Sequence, residues 1–164
     1  MADPAERAVA LTLNGRAVAP VVDPETPLIH VLRGALGAVS VRFGCGEEAC
    51  GVCTVLVEGQ PAYACSTPVW AVEGKAVETV EGLPDDDPLI VAFAAERAGQ
   101  CGYCLSGIVM RATALLRATP NPDRAAAAAA LSPSLCRCGA HPRILNAVLR
   151  AAEAAAEPAE EGSR

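Results

Sequence analysis

The spacing of the cysteines constrains this chain more than any other feature. Cys45, Cys50 and Cys53 follow one another as C-x4-C-x2-C, and Cys65 stands twelve residues further on. Gly44, Gly46, Ala49 and Gly51 fill the loop with small residues. Glycine permits positive φ and close backbone approach, so such a loop can wrap a compact object and turn several N–H groups inward. Four more cysteines follow, Cys101, Cys104, Cys136 and Cys138, making eight in 164 residues. Met1 to Arg7 show no basic start leading into an apolar core and no twin arginine, so the cytoplasm is the expected compartment, with peripheral association at a membrane left open. In a reducing compartment eight thiols read as metal ligands before disulfides.

The first quartet has the spacing with which plant-type ferredoxins hold a [2Fe–2S] cluster. Zinc is the alternative for four thiolates, although structural zinc usually shows paired C-x2–4-C knuckles. Gly44-x-Gly46-x-x-Ala49 also fits a dinucleotide fingerprint, but that motif needs a strand before it and a helix after it. Here a strand follows, and cysteines interrupt the loop. The second quartet, Cys101-Gly-Tyr-Cys104 with Cys136-Arg-Cys138, is less specific alone: a cluster, zinc and a thioredoxin-like pair all use such spacings. Helices expected just after Cys104 and Cys138 would aim free N–H groups at an anionic centre, which favours a cluster without excluding zinc. A Rieske centre would need two histidines. His30 lies in a helix far from any cysteine and His141 follows a complete quartet, so both read as packing or surface residues, and Trp70 reads as core.

Around these sites the pattern alternates between strand and helix. Val9, Leu11 and Leu13 mark a half-buried strand, Asn14-Gly15 a hairpin turn, and Arg16 to Ala19 the returning strand. Thr26 is placed to cap a helix with Pro27 at its first position, running past Leu28, Val31, Leu32, Ala35 and Leu36 to a stop at Gly37. Thr54 to Val57 and Ala76 to Val80 read as further strands. Glu81 to Pro88 is the domain boundary, its aspartates a solvated connector, with Asp87-Pro88 starting a helix through Arg97. Stripes at Ile108, Ala112, Leu115 and Leu116, and at Ile144, Val148, Ala151 and Ala152, mark two more helices. Six consecutive alanines between Arg124 and Leu131 form another. The expected layout is a small α+β domain over residues 1–82, a linker over 83–88, a helical domain over 89–152 and an acidic, disordered tail over 153–164.

Composition removes several functions. A net charge of −6 and 3% aromatic residues disfavour nucleic acid, and no twenty-residue apolar run suits a membrane span. No nucleophile or acid–base pair stands out, so the cysteines are ligands and no residue is assigned as catalytic. The residues alone lead to a two-centre electron-transfer protein, with a free-standing two-cluster ferredoxin or a zinc-stabilised interaction module as alternatives.

Phe43-Gly-Cys-Gly-Glu-Glu-Ala-Cys-Gly-Val-Cys-Thr54, Gln100-Cys-Gly-Tyr-Cys104 and Leu135-Cys-Arg-Cys-Gly139 together resemble the small iron–sulfur subunit of the molybdenum hydroxylases, the xanthine dehydrogenase and aldehyde oxidase family. The resemblance spans roughly residues 8–152 and matches all eight cysteines in order and spacing. It implies a ferredoxin-like β-grasp domain followed by a four-helix bundle domain, each with one [2Fe–2S] cluster. It further implies a large partner subunit carrying molybdopterin–molybdenum, from which electrons pass through both clusters to a haem cytochrome, a flavin (FAD) subunit or another acceptor. In relatives the residues matching Gln100 and Cys138 lie against the pterin. Leu105-Ser106-Gly107, and the run from Cys136 to Ile144, look most like the isoquinoline and nicotinate oxidoreductase branch. Pro133-Ser134 and Gly139-Ala140-His141 depart from the common pattern.

Overall fold

The computed structural model describes residues 6–156. In the first half, β2 (Leu11–Leu13) turns through Asn14 and Gly15, at φ 50° and 78°, into antiparallel β3 (Arg16–Val18). A separate ribbon pairs β1 (Arg7–Ala8) with β4 (Val21–Val22). A second tight turn, with Glu58 and Gly59 at φ 50° and 75°, joins β5 (Thr54–Val57) to β6 (Gln60–Tyr63). β7 (Ala76–Glu78) lies between the hairpins, parallel to β2 and antiparallel to β5, giving the order β3-β2-β7-β5-β6. Leu11, Val55 and Val77 pack against Leu28, Ile29 and Leu32 of α1 (Leu28–Arg33) as the first core.

The start of α1 differs from expectation in a way that matters for Cys65. Thr26 does not cap the helix; Pro27 takes the cap position, extended and bridged to Pro68. The Leu28 and Ile29 N–H groups donate to the carbonyls of Thr67 and Ala64, at 2.7 and 2.9 Å. These bonds satisfy donors that a side-chain cap would otherwise serve and anchor the Cys65 segment. The helix also stops at Arg33, short of Leu36, because Leu36 N–H reaches back to the Val31 carbonyl in a widened turn. Arg33 then donates to the carbonyls of Val39 and Val41, both at 2.7 Å, pinning the approach to the cysteine loop.

Trp70 is a correction: it is 49% exposed. The 3-10 turn Val69–Val72 buries the two valines and turns the indole outward, where its N–H meets Glu25 at 3.2 Å.

The second half is helical: α2 (Pro88–Ala95), α3 (Leu105–Ala118), α4 (Arg124–Leu131) and α5 (His141–Ala156). Asp87 and Asp123 cap α2 and α4 by accepting from Leu89 and Ala126 N–H at 2.8 and 2.7 Å. Leu89, Phe93, Ile108, Leu131, Ile144 and Val148 join the helices in a second core. The chain is thus a mixed α and β protein with a sheet and five helices among the described residues. α2 ends at Ala95, two residues earlier than expected, and Arg97 turns away at φ 49°. α5 carries the chain helically to Ala156, so residues 153–156 are not part of a disordered tail. Residues 157–164, and Met1 to Ala5 on which the reading of an absent leader largely rests, lie outside the described residues.

The halves meet through polar contacts as well as packing, for Arg117 of α3 donates to both carboxylate oxygens of Glu78 in β7, each at 2.9 Å. Asn14 and Thr79 exchange two hydrogen bonds, at 3.0 and 2.8 Å, beside the start of the second half. Glu81 accepts from Ser40 N–H at 2.7 Å and from the Ser40 and Thr79 hydroxyls. Partial desolvation pushes the Glu81 carboxyl up, but these hydrogen bonds outweigh it and hold the group below the usual carboxylate value. Among the described residues no helix is long and apolar enough to cross a membrane.

Candidate metal centres

Small residues let the first loop close as tightly as its spacing suggested. A Cβ on Gly44 would lie 2.6 Å from both the Cys50 Sγ and the Val52 Cγ1, so only glycine fits. The N–H of Glu47 lies 3.4 Å from the Cys45 Sγ, and the N–H of Cys45 lies 3.4 Å from the Cys50 Sγ. The Glu47 N–H, helped by the Cys50 thiol and further N–H groups, draws the Cys45 thiol below its ordinary value. Cys53 and Cys65 form the inner pair, at 1% and 7% exposure, with neighbouring thiols. Burial pushes the Cys53 thiol up to about 12.

The second group repeats this division. Cys101 and Cys138 place their Sγ atoms 3.5 Å apart at the surface, and the thiols of Cys104 and Cys136 are neighbours further in. The Tyr103 N–H, then the Cys138 thiol, lowers the Cys101 thiol. Burial pushes Cys104 up to about 12. Burial also opposes ionisation of Cys136, but N–H groups of Ala140, Cys138 and Gly139 and the Cys104 thiol outweigh it. These donors come from the turn between Cys138 and α5, not from the helix itself, which starts three residues after Cys138.

Each group of four therefore consists of two close pairs. Two sulfurs on one tetrahedral metal, with bonds of about 2.3 Å, stand about 3.8 Å apart, so a pair such as Cys101 and Cys138 suits one metal atom. A dinuclear cluster takes two thiolates on each of its irons. Among the described residues no three His, Cys, Asp or Glu side chains close on one ion position. The residues present fit [2Fe–2S] clusters in donor type, in number and in the inward N–H groups.

Between the two groups runs a seam that spacing did not reveal. Leu135 N–H donates to the Cys50 carbonyl at 2.9 Å, joining the neighbour of Cys136 to a cysteine of the first group. A Cβ on Gly51 would meet the Pro133 carbonyl oxygen at 2.6 Å, and one on Gly107 would meet the Gly51 carbonyl oxygen at 2.2 Å. The Tyr103 hydroxyl donates to the Phe43 carbonyl at 2.6 Å, under the Arg42 guanidinium. Gly107 was the available signal, since glycine inside a helix costs about 1 kcal/mol against alanine and invites a packing reason. Gln100 Nε2 donates to the Cys138 carbonyl at 3.3 Å, bringing together two residues far apart in sequence. His30 is exposed and stacks on Phe43, whereas His141 Nε2 lies 3.2 Å from the Ser134 carbonyl oxygen.

A sheet domain and a helical domain, each holding a thiol quartet and touching through the backbone beside them, define a small two-centre redox carrier. Comparison with known proteins supplies the family. Residues 11–82 match the 2Fe-2S iron-sulfur cluster binding domain, and residues 79–149 match a second [2Fe-2S] binding domain. The chain is 41% identical to one subunit of the nicotinate dehydrogenase of Pseudomonas putida, over 92% of this chain and 98% of that one. It is 43% identical to the alpha subunit of the isoquinoline 1-oxidoreductase of Brevundimonas diminuta, over 90% and 99%. Among solved structures, quinoline 2-oxidoreductase from Pseudomonas putida 86 superposes with a TM-score of 0.87 at 34% identity, covering 92% of this chain and 96% of that one. The chain belongs to the family of iron–sulfur subunits of the molybdenum hydroxylases. It is an electron-transfer subunit of an oxidoreductase complex, with two [2Fe–2S] clusters.

Proposed function

We propose that Cys45, Cys50, Cys53 and Cys65 hold the first cluster and Cys101, Cys104, Cys136 and Cys138 the second. The first domain, residues 1–82, is a ferredoxin-like β-grasp unit, and the second, 89–152, is a four-helix bundle. The pairing of thiols in twos within each group carries this reading. When bound, each cluster supplies a one-electron couple. The rest is the work of this chain's own residues. N–H groups of the two loops face the thiols and favour their anionic form. Gly51 and Gly107 let the halves approach to backbone contact, and the Leu135 N–H joins Cys50 to the segment bearing Cys136 by one hydrogen bond.

The second group faces a large molybdopterin–molybdenum subunit, with Gln100 and Cys138 against the pterin; the hydrogen bond between them supports a shared contact surface. The first group faces the acceptor, which is a haem cytochrome or a flavin subunit. Relatives named for nicotinate, isoquinoline and nicotine support an N-heteroaromatic substrate for the complex, and a reducing compartment, the cytoplasm, suits a chain whose eight cysteines serve as ligands and not as disulfides. Purification of the native complex tests the assignment. The expected result is about four iron per chain, no stoichiometric zinc, two distinguishable S = 1/2 signals on reduction and a molybdenum-bearing partner that co-purifies. Recovery of a colourless chain holding zinc alone would overturn it.

A further inference from the structure

The peptide unit between Ser134 and Leu135 is bonded at both ends. Its N–H donates to the Cys50 carbonyl at 2.9 Å, and its carbonyl oxygen lies 3.2 Å from His141 Nε2. A carbonyl can only accept, so Nε2 carries the hydrogen of that bond. The chain of groups runs from imidazole N–H to the Ser134 carbonyl, through the peptide to the Leu135 N–H, and on to the Cys50 carbonyl. Hydrogen bonds in series on one peptide polarise one another, and two of them fix the orientation of the plane.

Few other hydrogen bonds hold this segment, although Pro133 and Ser134 pack against Gly51. Pro133 has no N–H, and the Leu135 side chain is 65% exposed. Ser134 is buried, but its hydroxyl has no partner among the described residues; its N–H bonds the Leu131 carbonyl at 2.9 Å. His141, by contrast, stands on firm ground. It begins α5, whose Ile144 is fully buried and donates to the Ala140 carbonyl at 3.0 Å. We propose that His141 is a positioning residue of the electron relay: its Nε2–H holds the Ser134–Leu135 peptide against Cys50 and so sets the coupling between the two clusters. The inference rests on the two-cluster assignment above.

The test uses the native complex with both clusters present, shown by iron content and two EPR signals. Absence of these in the unaltered protein would defeat the two-cluster assignment and leave no relay to position. His141→Leu removes the donor, while His141→Gln places an amide N–H at similar reach. Hydrogen exchange at the Leu135 amide should quicken about fivefold in the leucine variant, the weight of one hydrogen bond of ordinary net strength. Electron exchange between the clusters should slow and their spin–spin splitting change, and glutamine should restore all three. If the leucine variant loses iron, His141→Asn replaces it, too short to reach the carbonyl yet polar at the start of α5. Unchanged exchange and splitting in the donor-free variant would overturn the proposal, as would a glutamine variant that behaves like it.

Discussion

Adding one methyl group at Gly51 tests whether the seam between the halves is as tight as the geometry implies. Gly51 sits at φ 70°, where a Cβ costs roughly 1–2 kcal/mol from local sterics alone. The new Cβ would also lie 2.6 Å from the Pro133 carbonyl oxygen and 3.1 Å from the Ser134 Cα, both backbone atoms that no side-chain rotation relieves. Relaxed contacts need about 3.5 Å, so the 133–135 segment must retreat by nearly 1 Å. That displacement stretches the 2.9 Å bond from Leu135 N–H to Cys50 beyond hydrogen-bond range. Losing the bond and stranding its partners adds about 1–3 kcal/mol. Gly59 is the matched control: φ is 75°, and nothing lies within 4 Å of its built Cβ. For a chain of this size each kcal/mol moves the melting midpoint by about 2–4 °C. At one scan rate, with iron per chain measured alongside, Gly59→Ala should lower the midpoint by about 2–8 °C. Gly51→Ala should fall a further 2–12 °C or so below it. Equal midpoints, or a milder effect at Gly51, would refute the reasoning.

Two further outcomes follow from other parts of the molecule. Cys53 and Cys104, pushed up to about 12 by burial, are protonated at neutral pH without metal and must lose that proton to ligate. Acidification therefore weakens loading, by up to about tenfold per pH unit for each such thiol. Iron extraction by a chelator should accelerate from about pH 8 to about pH 6, and a flat profile would contradict the buried-thiol argument. Asp123→Ala removes the cap from α4, of whose residues only Ala127 and Leu131 are buried, and should cost about 1 kcal/mol or roughly 2–4 °C, read by thermal melting with iron content unchanged.

Much of the architecture was legible because local rules and tertiary needs agreed. Asn14-Gly15 turns as its chemistry demands, and Asp87 caps α2. Where they disagreed, the tertiary contact won. Thr26 loses the cap of α1 because the carbonyls of Ala64 and Thr67 already satisfy the first N–H groups. Trp70 turns outward because the valines flanking it fill the core. The cysteines sort into two groups by spacing, yet the pairs within each group depend on how the loops curl, which ligand intervals do not encode. The contacts of Leu135 with Cys50 and of Tyr103 with Phe43 join points far apart in the chain through backbone carbonyls, and carbonyls leave no mark on a sequence.

That last property explains how the segment before Cys136 can vary in side chain and still serve the seam. The Leu135 N–H and the Ser134 carbonyl are present whatever side chains stand at 134 and 135, and the Leu135 side chain is largely in solvent. Side-chain identity is constrained on the opposite side instead, at Gly51 and Gly107, where a Cβ would collide with backbone. The seam thus fixes two glycines and a chain length while leaving Pro133-Ser134 free to vary. Such variation removes no backbone contact, but it changes how firmly the peptide is held, because proline contributes no N–H and the serine hydroxyl has no partner among the described residues. A donor from outside the segment then carries more of the load. His141 is the side chain that reaches it.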